Sequence, residues 1–147
     1  MNTDTRHPAT ARKGLHVSLW AVQALLALFY VYAGVTKLAT PAAELAKMMP
    51  WTGVYPGLVP FTGVVDLLGG VGMVLPMLTG VRPRLTVWAA RGQIVLQLLA
   101  TGFHLSRGEF MVVPMNLCLL ALAAFVLWGR ARALPLGQGR STSGQVA

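Results

Sequence analysis

The stretch GLVPFTGVVDLLGGVGMVLPMLTGV, Gly57 to Val81, runs for 25 residues with one charge, Asp66. A hydrocarbon core about 30 Å thick needs about 20 consecutive apolar residues in helical form, because each backbone amide must find its partner within the segment. This stretch meets that length, and so do three others. Leu15 to Thr36 is uncharged with His16 neutral, Leu85 to Leu105 carries Arg91 and His104, and Phe110 to Gly129 has no charge. The reading is an all-α integral membrane four-helix bundle, with helices over about 15–38, 57–79, 85–105 and 110–129.

Composition points the same way. Of 147 residues, 55% are hydrophobic and 11% charged, whereas a soluble domain carries about a quarter of its residues as charges. Arg12 and Lys13 precede the first apolar run as in a secretory signal, but the run exceeds the roughly 7–15 residues of a signal's apolar region, so a retained helix is expected. The lone Cys118 builds neither a disulfide within one chain nor a CxxC pair. Residues 1–14 and 131–147 are rich in Thr, Ser, Gly, Gln and Arg, and are expected to be mobile tails flanking a 15–130 membrane domain.

Lys and Arg in short connections stay on the cytoplasmic side. Arg6, Arg12, Lys13, Arg82, Arg84, Arg130, Arg132 and Arg140 stand against Lys37, Lys47 and Arg107, so both termini are expected in the cytoplasm. The net charge of +8 then reads as a topology signal and an attraction to anionic lipid, and nucleic acid is not expected as a partner. The longest connection, Thr40 to Pro56, holds Pro41 at a helix start, Glu44 in the first turn and Leu45, Met48 and Met49 to one side, which predicts a short interfacial helix over about 41–49. Trp51 and Tyr55 follow as interfacial anchors or as a lid.

Several of these residues carry a family resemblance: Ala33, Gly34 and Lys37 closing the first helix; Met49-Pro50-Trp51; Asp66-Leu67-Leu68-Gly69-Gly70 running to Leu75-Pro76; and His104-x-x-Arg107-Gly108-Glu109 with Asn116. Over roughly Leu15 to Arg130 the chain resembles the DoxX-like family. The resemblance implies a four-helix fold in the bacterial inner membrane. It also implies association with redox or stress-response partners, since some members resemble subunits of thiosulfate-quinone oxidoreductase or partners of oxidative-stress enzymes. Asp66 stands where the family more often has Glu, and Pro60 where an Arg commonly precedes that acid.

Ionisable residues inside a membrane are expensive and face the bundle interior or a hydrated cavity. Asp66 lies about 13 Å from one end of its helix and Arg91 about 10 Å from the opposite end of the next, at 1.5 Å per residue. An intramembrane Asp66–Arg91 ion pair is therefore expected, serving either helix pairing or a proton or substrate relay. Gln93, Gln97 and His104 share one face of the third helix while Arg91 points away. Gln23, Tyr30 and Lys37 form a seven-residue stripe on the first, and Asn116 shares a face with Glu109 on the fourth. Gln23, Tyr30, Gln93, Gln97 and Asn116 are expected to make interhelical hydrogen bonds worth about 0.6 kcal/mol each.

An outer-leaflet polar cluster of Lys37, His104, Arg107 and Glu109 is the remaining candidate site. It could hold a quinone oxygen or an anionic headgroup. No metal-ligand spacing such as HExxH is present, and no resident cofactor is expected. Two main functions stay open: a non-catalytic membrane subunit or scaffold serving a partner protein or a second copy, not an enzyme on its own, and a quinone-binding component of a membrane oxidoreductase. A transporter of protons or small molecules is a third.

Overall fold

The structure is a computed structural model that describes residues 7–134. It is all-helical: α1 (His7–Ala39), α2 (Ala42–Met48), α3 (Trp51–Val54), α4 (Leu58–Thr79), α5 (Arg84–Ser106) and α6 (Val113–Trp128), which continues as a π-helical turn, Gly129–Ala133. The long helices pack as a bundle, α1 on α4, α4 on α5, α5 on α6 and α6 back on α1. Among the described residues three helices are long and apolar enough to cross a membrane, those over Thr10–Ala39, Leu58–Thr79 and Val113–Ala133.

Local sequence explains the boundaries. α1 ends as Pro41 approaches, since proline disfavours helical backbone in the residue before it. It begins at His7, so residues 7–14 are helical where a mobile tail is expected. The remaining tail residues, 1–6 and 135–147, lie outside the described residues. Gly80 and Gly108 take positive φ of 68° and 72° and turn the chain into and out of α5. Pro76 sits inside α4, one turn before its end, and Pro114 lies in the first turn of α6, where a missing amide donor matters least.

Small residues let α1 and α4 approach closely. A Cβ on Gly34 would meet the Gly63 carbonyl oxygen at 2.7 Å, and one on Gly70 would meet the Ala27 carbonyl oxygen at 2.9 Å. These two pairs lie seven residues apart on each helix, so α1 and α4 touch twice along one seam. Without bulky chains between them, their backbones come close enough for dispersion contacts and for short polar reaches across the seam.

Polarity is arranged inside out relative to a water-soluble bundle. Gln23, Asp66, Thr86, Gln93, Gln97, Asn116 and Arg130 are buried, while Leu28, Tyr32, Leu68, Leu78, Trp88 and Leu99 are exposed. The buried apolar layer of Leu26, Tyr30, Met73, Ala90, Leu119, Ala123 and Val126 fills the centre. An outer shell of exposed aliphatic chains matches a lipid bilayer, in which the hydrocarbon is as apolar as leucine. The chain is a multi-pass membrane protein.

Candidate functional site

The site lies at the end of the bundle that carries α2 and α3. The Gly34–Gly63 contact brings the last turn of α1 beside α4, and Lys37 Nζ donates to Asp66 Oδ2 at 2.7 Å. Their side chains are 14% and 4% exposed, so the pair is screened little by water. Asp66 therefore does not pair with Arg91. The Arg91 guanidinium lies on the outer surface, over the Trp88 ring at 4.7 Å, and reaches back along α5 toward the end where that helix begins. A long cation on a lipid-facing surface relieves its burial this way.

Above the Lys37–Asp66 pair, Pro50 separates α2 from the single turn of α3, which Thr52 fastens by donating to the Met49 carbonyl at 2.8 Å. This turn places Trp51 with its ring 5.7 Å from Lys37 Nζ. Phe103, on α5, meets Trp51 edge-on at 6.0 Å and Tyr55 at 5.5 Å between centroids. Such edge-to-face pairs are worth about 0.5–1.5 kcal/mol beyond burial. Arg107 lies over Tyr55 and Phe103, at 5.4 and 5.5 Å. Nothing in the spacing of the sequence marks Phe103 as a partner of Trp51, because the contact spans two helices distant in the chain.

The turn at Gly108 folds Glu109 back onto α5, where its amide donates to the His104 carbonyl at 2.9 Å. Glu109 then bridges two partners, with Oε2 2.6 Å from His104 Nδ1 and Oε1 2.9 Å from Arg107 Nε. Its carboxyl is held below the usual range, first by the His104 hydrogen bond and then by Arg107, and the Arg107 guanidinium is raised chiefly by its bond to Glu109. An ionised carboxylate only accepts, so His104 donates from Nδ1, and a neutral ring keeps Nε2 as a free proton acceptor. The expected cluster of Lys37, His104, Arg107 and Glu109 thus falls into two ion-paired parts, Lys37 with Asp66 and the other three together, joined by the Trp51 and Phe103 rings.

Deeper in the bundle, Gln97 Nε2 donates to the Tyr30 hydroxyl at 2.9 Å, and Gln23 Nε2 to the Met73 carbonyl at 2.6 Å. Gln93 is seated against Gly69, whose missing side chain leaves room for the amide. Gln93 Oε1, Gln97 Oε1 and Asn116 Nδ2 are buried without hydrogen-bond partners. Asn116 therefore makes no interhelical side-chain bond through its amide nitrogen. Gln23 also accepts from Arg130 Nε at 2.7 Å, at the opposite end of the bundle, a contact between residues 107 positions apart. Arg130 reads in the sequence only as one more terminal charge. Among the described residues no three His, Cys, Asp or Glu side chains converge as for a metal ion.

No curated protein and no solved structure matches this chain. The model of the DoxX-like family matches residues 21–126, from within α1 to the last turn of α6, and the chain belongs to the DoxX-like family.

Proposed function

We propose that the chain is a four-crossing subunit of the bacterial inner membrane with both termini cytoplasmic, and that it serves a redox or stress-response partner through its α2–α3 end. Supporting a fourth crossing, α5 packs between α4 and α6 and is joined to them by residues 80–83 and 107–112. Four residues span at most about 14 Å, far less than the roughly 33 Å of a 22-residue helix. α5 must then start where α4 ends and run the length of the bundle. Its lower apolarity is owed partly to Arg91, which reaches toward an interface, and to buried amides.

The observation that carries the partner reading is the build of the α2–α3 end. Its ion pairs and edge-on rings form a fixed platform, beside which Phe110 and Met111 stand 65% and 93% exposed. Exposed aromatic and methionine side chains rimming an ordered polar cluster suit a protein contact. A photo-crosslinking residue in place of Met111, activated in intact cells, is expected to capture a different protein. Adducts with lipid alone would overturn this reading.

A second reading is favoured by His104. A histidine oriented by Glu109, with a proton-accepting Nε2 and its ring 5.4 Å from that of Phe103, which in turn meets Trp51 edge-on, suits a flat, hydrogen-bonding ring such as a quinone headgroup. Quinone extracted from the purified protein, or quenching of Trp51 by added quinone that His104→Phe abolishes, is expected in that case. Equal quenching in both proteins would remove it.

A further inference from the structure

The opposite end of the bundle holds a buried cation that no acid of the described chain meets. Arg130, in the π-helical turn after α6, is 2% exposed. The seat is built by Gly129, which lies so close to Leu19 that a Cβ there would collide with it, and by the Trp20 ring 5.6 Å from the guanidinium. Nε donates to Gln23, and Nη2 has no partner. The chain has four acids. Asp66 is taken by Lys37, Glu44 by Lys47, and Glu109 by His104 and Arg107, all at the far end; Asp4 lies outside the described residues.

Proton placement at His16 sharpens the imbalance. Trp20 Nε1 lies 3.2 Å from His16 Nε2, and an indole N–H only donates, so Nε2 accepts. The ring proton then sits on Nδ1, which is 3.4 Å from Arg130 Nη1. Two donors face one another with no acceptor between them, and the unpartnered Nη2 belongs to the same guanidinium. A buried charge of this kind needs a counter-charge that also accepts hydrogen bonds. Arginine's planar fork matches a phosphate or carboxylate.

We infer that Arg130, with His16 Nδ1–H, binds one oxyanion at the end of the bundle where α1 begins and α6 ends. The chemistry is that of a phosphate-type oxygen, supplied either by an anionic phospholipid headgroup or by a free anion. Arg12, Lys13, Arg82, Arg84 and Arg132 in the neighbouring segments raise the local concentration of either.

The test uses the full chain in nanodiscs. In discs of phosphatidylcholine with a minor fraction of phosphatidylglycerol, native mass spectrometry is expected to find one phosphatidylglycerol retained per chain. Arg130→Gln and His16→Phe each weaken this by about tenfold or more, the effect of losing a charge-assisted hydrogen bond, while Arg132→Gln does not. His16→Phe leaves the Arg130–Gln23 bond in place, so it remains informative if Arg130→Gln fails to fold. In discs of phosphatidylcholine alone, inorganic phosphate that raises the melting temperature of the wild type and not of His16→Phe identifies a free anion as the source. Phosphatidylglycerol that does so where phosphate does not identifies the headgroup. Retention of phosphatidylglycerol and a response to phosphate in both variants equal to those of the wild type overturn the site. So does a gain in lipid or phosphate affinity on Asp4→Asn, which would make the chain's own carboxylate the occupant.

Discussion

Lys37 reaches across the α1–α4 seam to Asp66 with a 2.7 Å charge-assisted hydrogen bond, and the two side chains are nearly closed off from solvent. Neither ion is stable there alone. Lys37→Met and Asp66→Asn are each expected to destabilise the protein by about 3 kcal/mol, because each strands a buried partner. The double variant Lys37→Met/Asp66→Asn should recover more than half of the summed loss. Thermal unfolding in detergent gives the cycle, and strictly additive losses would show that the two residues do not act as a pair.

The seam itself is the next target. Gly34→Val puts a branched side chain where a Cβ already meets the Gly63 carbonyl and Leu67, and is expected to lower stability by about 1–3 kcal/mol. Gly102→Ala, at a position open on all sides, should be neutral or slightly stabilising, since alanine favours helix. A similar loss in both variants would deny the close approach.

Arg91→Leu should leave the melting temperature nearly unchanged or raise it slightly. Among the described residues its guanidinium meets the exposed Trp88 ring, and such exposed cation–π contacts are worth about 0.5–1 kcal/mol. A loss as large as that of Asp66→Asn would restore the Asp66–Arg91 pairing expected from depth.

How far the sequence reached is clearest at these ions. The all-helical fold follows from apolar run length, which depends only on the thickness of hydrocarbon and the rise of a helix. Depth put Asp66 and Arg91 at similar levels, but depth carries no azimuth. At 100° per residue Arg91 lies about 200° from Gln93 and so opposite the amide face, whereas Lys37 continues the stripe of Gln23 and Tyr30. Azimuth decides the pairing. Two contacts were beyond reach on any such wheel: Trp51 with Phe103, which needs the turn of α3, and Arg130 with Gln23, which needs the closure of α6 onto α1.

The Glu109 cluster should resist mild acid. A carboxyl whose folded value is lowered contributes stability that is fully present above its ordinary value of 4.5 and is lost as pH falls through the lower folded value. The fold of the α5–α6 turn is therefore expected to hold from pH 7 to 5 with respect to Glu109 and to loosen only below the ordinary carboxylate range. Melting temperature against pH, compared with Glu109→Gln, isolates this step. Identical acid profiles in the two proteins would rule it out.

The glycine seam also bears on biogenesis. A lone aspartate at the centre of a spanning helix disfavours insertion by about 2.5–3.5 kcal/mol. α1 leaves the ribosome before α4, so Lys37 precedes Asp66 into the translocation machinery. With Gly34 and Gly63 allowing the two helices to close directly, α4 can enter the bilayer as half of a neutral hairpin. Its partition into lipid is then a property of two helices, set by the order in which they are made.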